Sequence, residues 1–157
     1  MKASKDRRES MRRVLENAKH LLAPLRSNCK EFYARWKAAG VPDDREDMSG
    51  RWEGEWISAA TGHRGPLRCV MEVLTPERWA GTFRGRYAKV FRACYATDLH
   101  TAKLGPDRYT FSGKTDLGWA AGGAYEFDGH GSAAELVFRY RSRMDHGEFR
   151  LRRPRTS

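Results

Sequence analysis

The chain has no run of about 18 consecutive apolar residues, which excludes a membrane-spanning helix. It has only three cysteines, Cys29, Cys69 and Cys94, too few for a disulfide scaffold. Nothing in their spacing asks for a bond, although Cys69 and Cys94 meet if their strands lie side by side. The simplest reading makes all three small buried apolar residues. The longest apolar cluster near the start is Leu21-Leu22-Ala23, stopped by Pro24. A secretory signal needs a core of roughly 7–15 apolar residues. Both features point to a reducing cytoplasm. Also missing are a G-x-G-x-x-G turn before a helix, a phosphate-loop lysine, a serine or cysteine nucleophile elbow and a pair of carboxylates at glycosidase spacing. No catalytic residue and no cofactor are therefore expected, and an enzyme is the least favoured reading.

What is present is one domain's worth of chain, 157 residues with a net charge of +10. Seven Phe, six Tyr and five Trp exclude a wholly disordered polymer. The basic excess is mostly arginine, whose planar fork suits anions better than lysine does. Such a balance favours contact with an anionic membrane surface, an acidic protein or nucleic acid, or simply a solvated arginine-rich surface.

Residues 1–40 read as an amphipathic helical segment. Met11, Val14, Leu15, Ala18, Leu21, Leu22, Leu25, Cys29, Phe32, Tyr33 and Trp36 recur in steps of three and four. Ser4 suits the start and Gly40 the end. Pro24 breaks or kinks the pattern, so two pieces are expected, near 5–22 and 24–39. The stripe over residues 5–39 has three uses: packing on the rest of the chain, pairing with a protein partner, or lying on an anionic membrane surface. Cytoplasmic or membrane-peripheral residence follows from those uses. Residues 41–49 read as an acidic linker.

From Gly50 the period becomes two. Trp52, Gly54 and Trp56 share one face, as do Trp79, Gly81 and Phe83. Tyr109, Phe111 and Gly113, then Tyr125, Phe127 and Gly129, then Leu136, Phe138 and Tyr140, and finally Gly147, Phe149 and Leu151 repeat the pattern. Turn residues separate the segments at 61–66, 75–77, 105–107 and 130–132. The stretch 87–98 is strand-like, with neither face clearly the inner one. Seven or eight short strands with no helix between them imply a mainly β fold. The form expected is an antiparallel up-and-down barrel over 50–153, with a tail at 154–157. Closure removes the exposed edges that an open meander would leave.

Five aromatic-x-Gly units lie on the inward faces: Trp52-x-Gly54, Trp79-x-Gly81, Phe83-x-Gly85, Phe111-x-Gly113 and Phe127-x-Gly129. Glycine inside a strand either allows sharp coiling or leaves space beside a ring. An eight-stranded barrel sits near the size where the interior is either filled or holds one small ligand. If it holds one, the lining is Trp52, Trp56, Trp79, Phe83, Phe111, Tyr125, Phe138 and Tyr140.

Gly50-Arg51-Trp52 opening the first strand, with a meander and a late arginine, resembles the calycin barrels: lipocalins, fatty-acid-binding proteins and avidins. In lipocalins an arginine on the last strand packs over the tryptophan of Gly-x-Trp, which gives Arg150 or Arg152 that part here. Asp116-Leu117-Gly118-Trp119 looks avidin-like. The Arg-x-Tyr carboxylate clamp of fatty-acid-binding proteins is replaced by Phe138-Arg139-Tyr140-Arg141. The pattern Gly50 to Trp56, Thr61-Gly62-His63, Leu117 to Tyr125 and Asp145 to Phe149 is similar to a family of small bacterial proteins without assigned function.

In such a meander the turns at 59–65, 116–122 and 142–147 share one mouth, which gathers His63, Trp119, Asp145 and His146 near a Gly-rich loop. No metal is expected, since two histidines need a third ligand and Asp145 is better placed to make a tight turn. Arg139, Arg141, Arg143, Arg150, Arg152, Arg153 and Arg155 form a basic ribbon outside the last strands. Nucleic acid is disfavoured, because the aromatics that would stack on bases point inward. The function expected is non-enzymatic binding of a small apolar or amphipathic ligand inside the barrel. The alternative is a packed interaction module that binds a protein partner or an anionic membrane through its helix and arginine face.

Overall fold

The computed structural model of the chain describes residues 29–40, 45–87, 91–118 and 123–155. The expected helix over 5–22, the break at Pro24 and the Trp119 position lie outside them. Residues 29–39 form helix α1. Eight strands follow in chain order: β1 (Gly50–Ser58), β2 (Arg64–Thr75), β3 (Arg78–Tyr87), β4 (Phe91–Gly105), β5 (Arg108–Asp116), β6 (Ala124–Gly131), β7 (Glu135–Arg141) and β8 (His146–Arg152). Each pairs antiparallel with its neighbours, and β8 pairs with β1 to close the barrel. This is the up-and-down architecture expected from the alternating pattern, and it is consistent with a calycin-like fold.

The alternation fixes which side chains point inward. Trp52, Trp56, Leu67, Cys69, Met71, Trp79, Phe83, Phe111, Phe127, Leu136, Phe138, Tyr140, Phe149 and Leu151 are buried in one interior cluster. On β4, Tyr95, Thr97, Leu99 and Thr101 are buried while Ala96, Asp98 and His100 are exposed. That settles residues 93–98 of the stretch left open by the sequence, while residues 88–90 lie outside the described ones. Its contrast is blurred because two threonines face inward while an alanine and Cys94 face outward.

The inward glycines Gly54, Gly81, Gly113 and Gly129 leave no space for a side chain. A Cβ on Gly54 would fall on the carbonyl oxygen of Arg150, and one on Gly129 on that of Val137. One on Gly81 would lie 2.8 Å from the Phe83 ring. At these positions glycine serves the coiling of the strands and close ring packing.

One end of the barrel, here the base, is closed by residues 45–49 of the segment read as a linker. Met48 is fully buried in the interior cluster, and its carbonyl accepts a hydrogen bond from Trp52 Nε1 at 2.8 Å. The late arginine of the calycin comparison is present, but it is Arg153 rather than Arg150 or Arg152. Its guanidinium lies 3.9 Å from the centre of the Trp52 ring. It donates to the carbonyls of Asp47 and Ser49 at 2.7 Å, Ala133 at 2.8 Å and Arg51 at 3.3 Å. Arg150 and Arg152 point to solvent because they keep the outward parity of β8. The chain leaves the ladder after Arg152, which frees Arg153 to turn under the base. Burial lowers its pKa to about 10, so it remains a cation at neutral pH.

Helix α1 packs on the outside of the barrel. Cys29, Phe32, Trp36 and Ala39 form its inner face, and Phe32 is fully buried against Val70 and Cys94. The part of the apolar stripe over 29–39 that carries Cys29, Phe32, Trp36 and Ala39 is thus used in packing within the chain. Arg35 joins the helix to Glu72 at 2.7 Å, and Arg51 Nε donates to the Trp36 carbonyl. A disulfide between Cys29 and Cys94 fastens the helix to β4. This corrects the reading of three unpaired cysteines, and the cytoplasmic assignment built on it loses that support. Cys69 could not partner Cys94, because Cys69 faces the interior while Cys94 faces outward under the helix. Cys69 is the free, buried thiol, and desolvation raises its pKa well above the ordinary value. Among the described residues no helix is long and apolar enough to cross a membrane.

Candidate functional site

The barrel places all eight residues expected to line a ligand site in one interior cluster, Tyr125 being only partly buried at its edge. They divide by height. Trp52, Trp79 and Phe111 lie toward the base, where Trp79 meets Tyr109 edge to face at 5.9 Å. The middle is filled by rings. Phe83 has Tyr95 and Phe138 at 5.3 Å, Phe149 at 5.7 Å and Phe127 at 6.4 Å between centroids. Phe111 and Phe138 approach to 4.3 Å. Trp56, Tyr140 and Tyr125 lie toward the opposite end, the mouth. Sequence reasoning did not assign Met48, Tyr95 or Leu99 to the interior.

At the mouth the character changes. Tyr125 and Leu117 pack against the core while keeping part of their surface exposed. Tyr125 lies 6.3 Å from Tyr140, which packs at a tilt against Phe149 at 4.9 Å. Trp56 Nε1 donates to the Arg86 carbonyl at 2.9 Å, tying β1 to the top of β3. The feet of the loop between β5 and β6 are fixed by two backbone bonds, Leu117 N to Gly123 O at 2.9 Å and Gly123 N to Gly118 O at 2.8 Å. Gly118 and Gly123 both have positive φ, which those tight bonds require and which glycine adopts without strain.

A polar group borders this aromatic surface. Asp145 accepts from Ser58 Oγ at 2.6 Å, from Tyr140 OH at 2.9 Å and from the His146 amide at 2.9 Å. Ser142 caps the same turn, its Oγ accepting from Asp145 N at 3.1 Å. The turn role expected for Asp145 is therefore present, and it extends across the rim to β1. Buried Ser58 was not singled out by the sequence; it lies on the inward face at the end of β1, where a serine gave no signal of a partner 87 residues away.

His63 and His146 reach the same rim, since their carbonyls accept from Ser58 N and Ala59 N, each at 2.8 Å. Both side chains are exposed. No group of three metal-ligating side chains occurs among the described residues.

The arginine ribbon is not a free cationic stripe. Arg139 pairs with Asp128 at 2.9 Å, Arg141 with Glu126 at 3.0 Å and Arg150 with Glu148 at 2.9 Å. Arg153 has left it for Trp52. Comparisons with protein-family models, curated proteins and solved structures give no match.

Proposed function

We propose that the protein is a non-enzymatic binding module that takes one small amphipathic molecule at the mouth of its barrel. The reading rests on one observation, the asymmetry along the barrel axis. The base is sealed by Met48 and Arg153, and the middle is filled by stacked rings. Among the described residues, only at the mouth do apolar side chains packed on the interior cluster, Tyr125 and Leu117, keep exposed surface beside a polar rim. An apolar floor with a few fixed polar groups is the usual make-up of a small-molecule site. Trp56, Tyr125, Tyr140 and Leu117 would contact the apolar part, while Ser58 and Asp145 hold the rim in shape. The calycin resemblance, whose members carry small apolar ligands, supports the same reading. The interior residues nearer the base, Trp52, Trp79, Phe83, Phe111 and Phe138, then serve as packed support.

The test uses 8-anilinonaphthalene-1-sulfonate with the full chain. Saturable fluorescence enhancement is expected, weakened at least fivefold by Tyr125→Ala. Leu104→Ser, which removes an exposed apolar side chain at the opposite end, should leave it unchanged. Absence of saturable binding, or loss in Leu104→Ser with Tyr125→Ala intact, would overturn the reading.

A further inference from the structure

Two hairpins at the base repeat one hexapeptide. Leu74-Thr75-Pro76-Glu77-Arg78-Trp79 joins β2 to β3, and Leu104-Gly105-Pro106-Asp107-Arg108-Tyr109 joins β4 to β5. The structure repeats with the sequence. In each, a proline and an acid form a two-residue turn, and the strand register skips the leucine. Val73 and Thr75 pair with Trp79 and Arg78; Lys103 and Gly105 pair with Tyr109 and Arg108. Each leucine is thus the extra residue of a β-bulge. The closing aromatics, Trp79 and Tyr109, are buried in the interior cluster and meet at 5.9 Å, so the two tips stand side by side.

Turn chemistry accounts for most of the unit. Proline presets the first turn position and a short acid suits the turn. The leucines are not accounted for. Leu74 is 55% exposed and Leu104 61%, with Val73 beside the first at 52%. These are three of the five large apolar side chains exposed among the described residues. Scattered exposed apolar residues are ordinary. The same residue turned outward by the same bulge on two adjacent tips is not scattered.

The occupant that suits these tips is a lipid bilayer. Residues 73–78 are exposed throughout, so the tips project and form no groove wall. Three side chains fall far short of the roughly 1,000 Å² that a specific protein interface buries. A bilayer surface needs no matching shape, and binding to it grows with the apolar area inserted. Pro76 and Pro106, at the turns themselves, bring no N–H that would have to leave water. Lys103 and Arg108 flank Leu104 and are exposed. Asp107 is engaged by the Ala133 amide at 2.7 Å, and Arg78 by Asp98 at 2.8 Å. Glu77 offsets part of the local charge, so attraction to an anionic leaflet comes from Lys103 and Arg108 together with the chain's net +10.

We propose that the base of the barrel docks on an anionic lipid bilayer, with Leu74 and Leu104 entering its interfacial layer. The mouth then faces away from the membrane, and the docking does not depend on the ligand proposed there.

The test measures sedimentation of the full chain with vesicles of phosphatidylcholine and phosphatidylglycerol in equal parts. Saturable binding is expected, weaker on phosphatidylcholine alone and in high salt. The double variant Leu74→Ser with Leu104→Ser should bind at least tenfold more weakly with an unchanged melting temperature, since both side chains are exposed. A second measurement locates the contact. Leu104→Cys at the base and Met144→Cys at the mouth each add one reactive thiol, because Cys69 is buried and Cys29 is bonded to Cys94. A nitrobenzoxadiazole label at position 104 should shift to the blue on vesicles, while one at position 144 should not. No vesicle binding, equal binding by the double variant, equal binding to phosphatidylcholine alone, or a shift at 144 without one at 104 would overturn the proposal. So would a dimer of the native chain that the double variant abolishes, which would make a second copy the occupant.

Discussion

Arg153→Ala is the sharpest probe of how the barrel is closed. The substitution removes one cation stacked 3.9 Å over Trp52 and its hydrogen bonds to the carbonyls of Asp47, Ser49, Arg51 and Ala133. A partly desolvated cation–π contact contributes about 1–2 kcal/mol. Hydrogen bonds from a charged donor contribute about 1.5–3 kcal/mol each when fully buried. Arg153 is only partly buried, and the abandoned carbonyls gain access to water, so the four together are discounted to about 2–3 kcal/mol. The expected loss is about 3–5 kcal/mol, a large share of the roughly 5–15 kcal/mol that holds a domain together. Urea unfolding followed by tryptophan fluorescence and far-ultraviolet circular dichroism reads it as a lower midpoint with an unchanged slope. Arg153→Lys should restore less than half, because an ammonium keeps the charge but cannot span four carbonyls as a fork does. Arg152→Ala, one residue earlier and facing solvent, should cost under about 1 kcal/mol. A loss below about 1 kcal/mol for Arg153→Ala, or an equal loss for Arg152→Ala, would refute the assignment of Arg153 as the closing residue.

Other outcomes follow from the cysteines and glycines. Thiol titration of the non-reduced chain should find no reactive group when folded, because Cys69 is buried with a raised pKa, and one group in denaturant. Two or three thiols in the denatured, non-reduced chain would remove the Cys29–Cys94 bond. Cys29→Ser should cost about 4 kcal/mol, from the entropy of a loop closed across 65 residues. Limited proteolysis should then cut first within 29–39. Gly129→Ala should unfold or severely destabilise the chain, by more than about 3 kcal/mol, since its methyl group would overlap the Val137 carbonyl. Gly62→Ala, where φ is +74° but nothing lies within 4 Å, should cost only about 1 kcal/mol. Similar melting temperatures for these two variants would contradict the close strand approach.

The parts of the fold that were legible in the sequence are those where one physical signal acted alone. Along β1, β7 and β8 burial on one face produces clean alternation, so the inward positions of Trp52, Trp56, Phe138, Tyr140, Phe149 and Leu151 could be read directly. Where a second layer covers the outer face, alternation fails. Val70, Thr82 and Cys94 face outward yet are buried, the first and last of them under α1, so the region around them gives no polar contrast. The same cover hid the disulfide, because deciding which cysteines meet requires knowing which face each occupies. The closing arginine was legible in kind but not in position. A parity argument holds only while the strand lasts, and Arg153 acts because the strand has ended. The mouth was legible as a place, since hairpin topology alone brings the 59–65 and 142–147 turns together. Its bonding was not, because the Ser58–Asp145 contact depends on the register between β1 and β8, strands at opposite ends of the barrel sequence. The surface charges carry the same lesson. Each arginine reads alone as surface, and only the register shows that Arg139, Arg141, Arg150 and Arg152 each face a carboxylate across the ladder. Composition gave the +10, but the register decides how that charge is paired across the sheet.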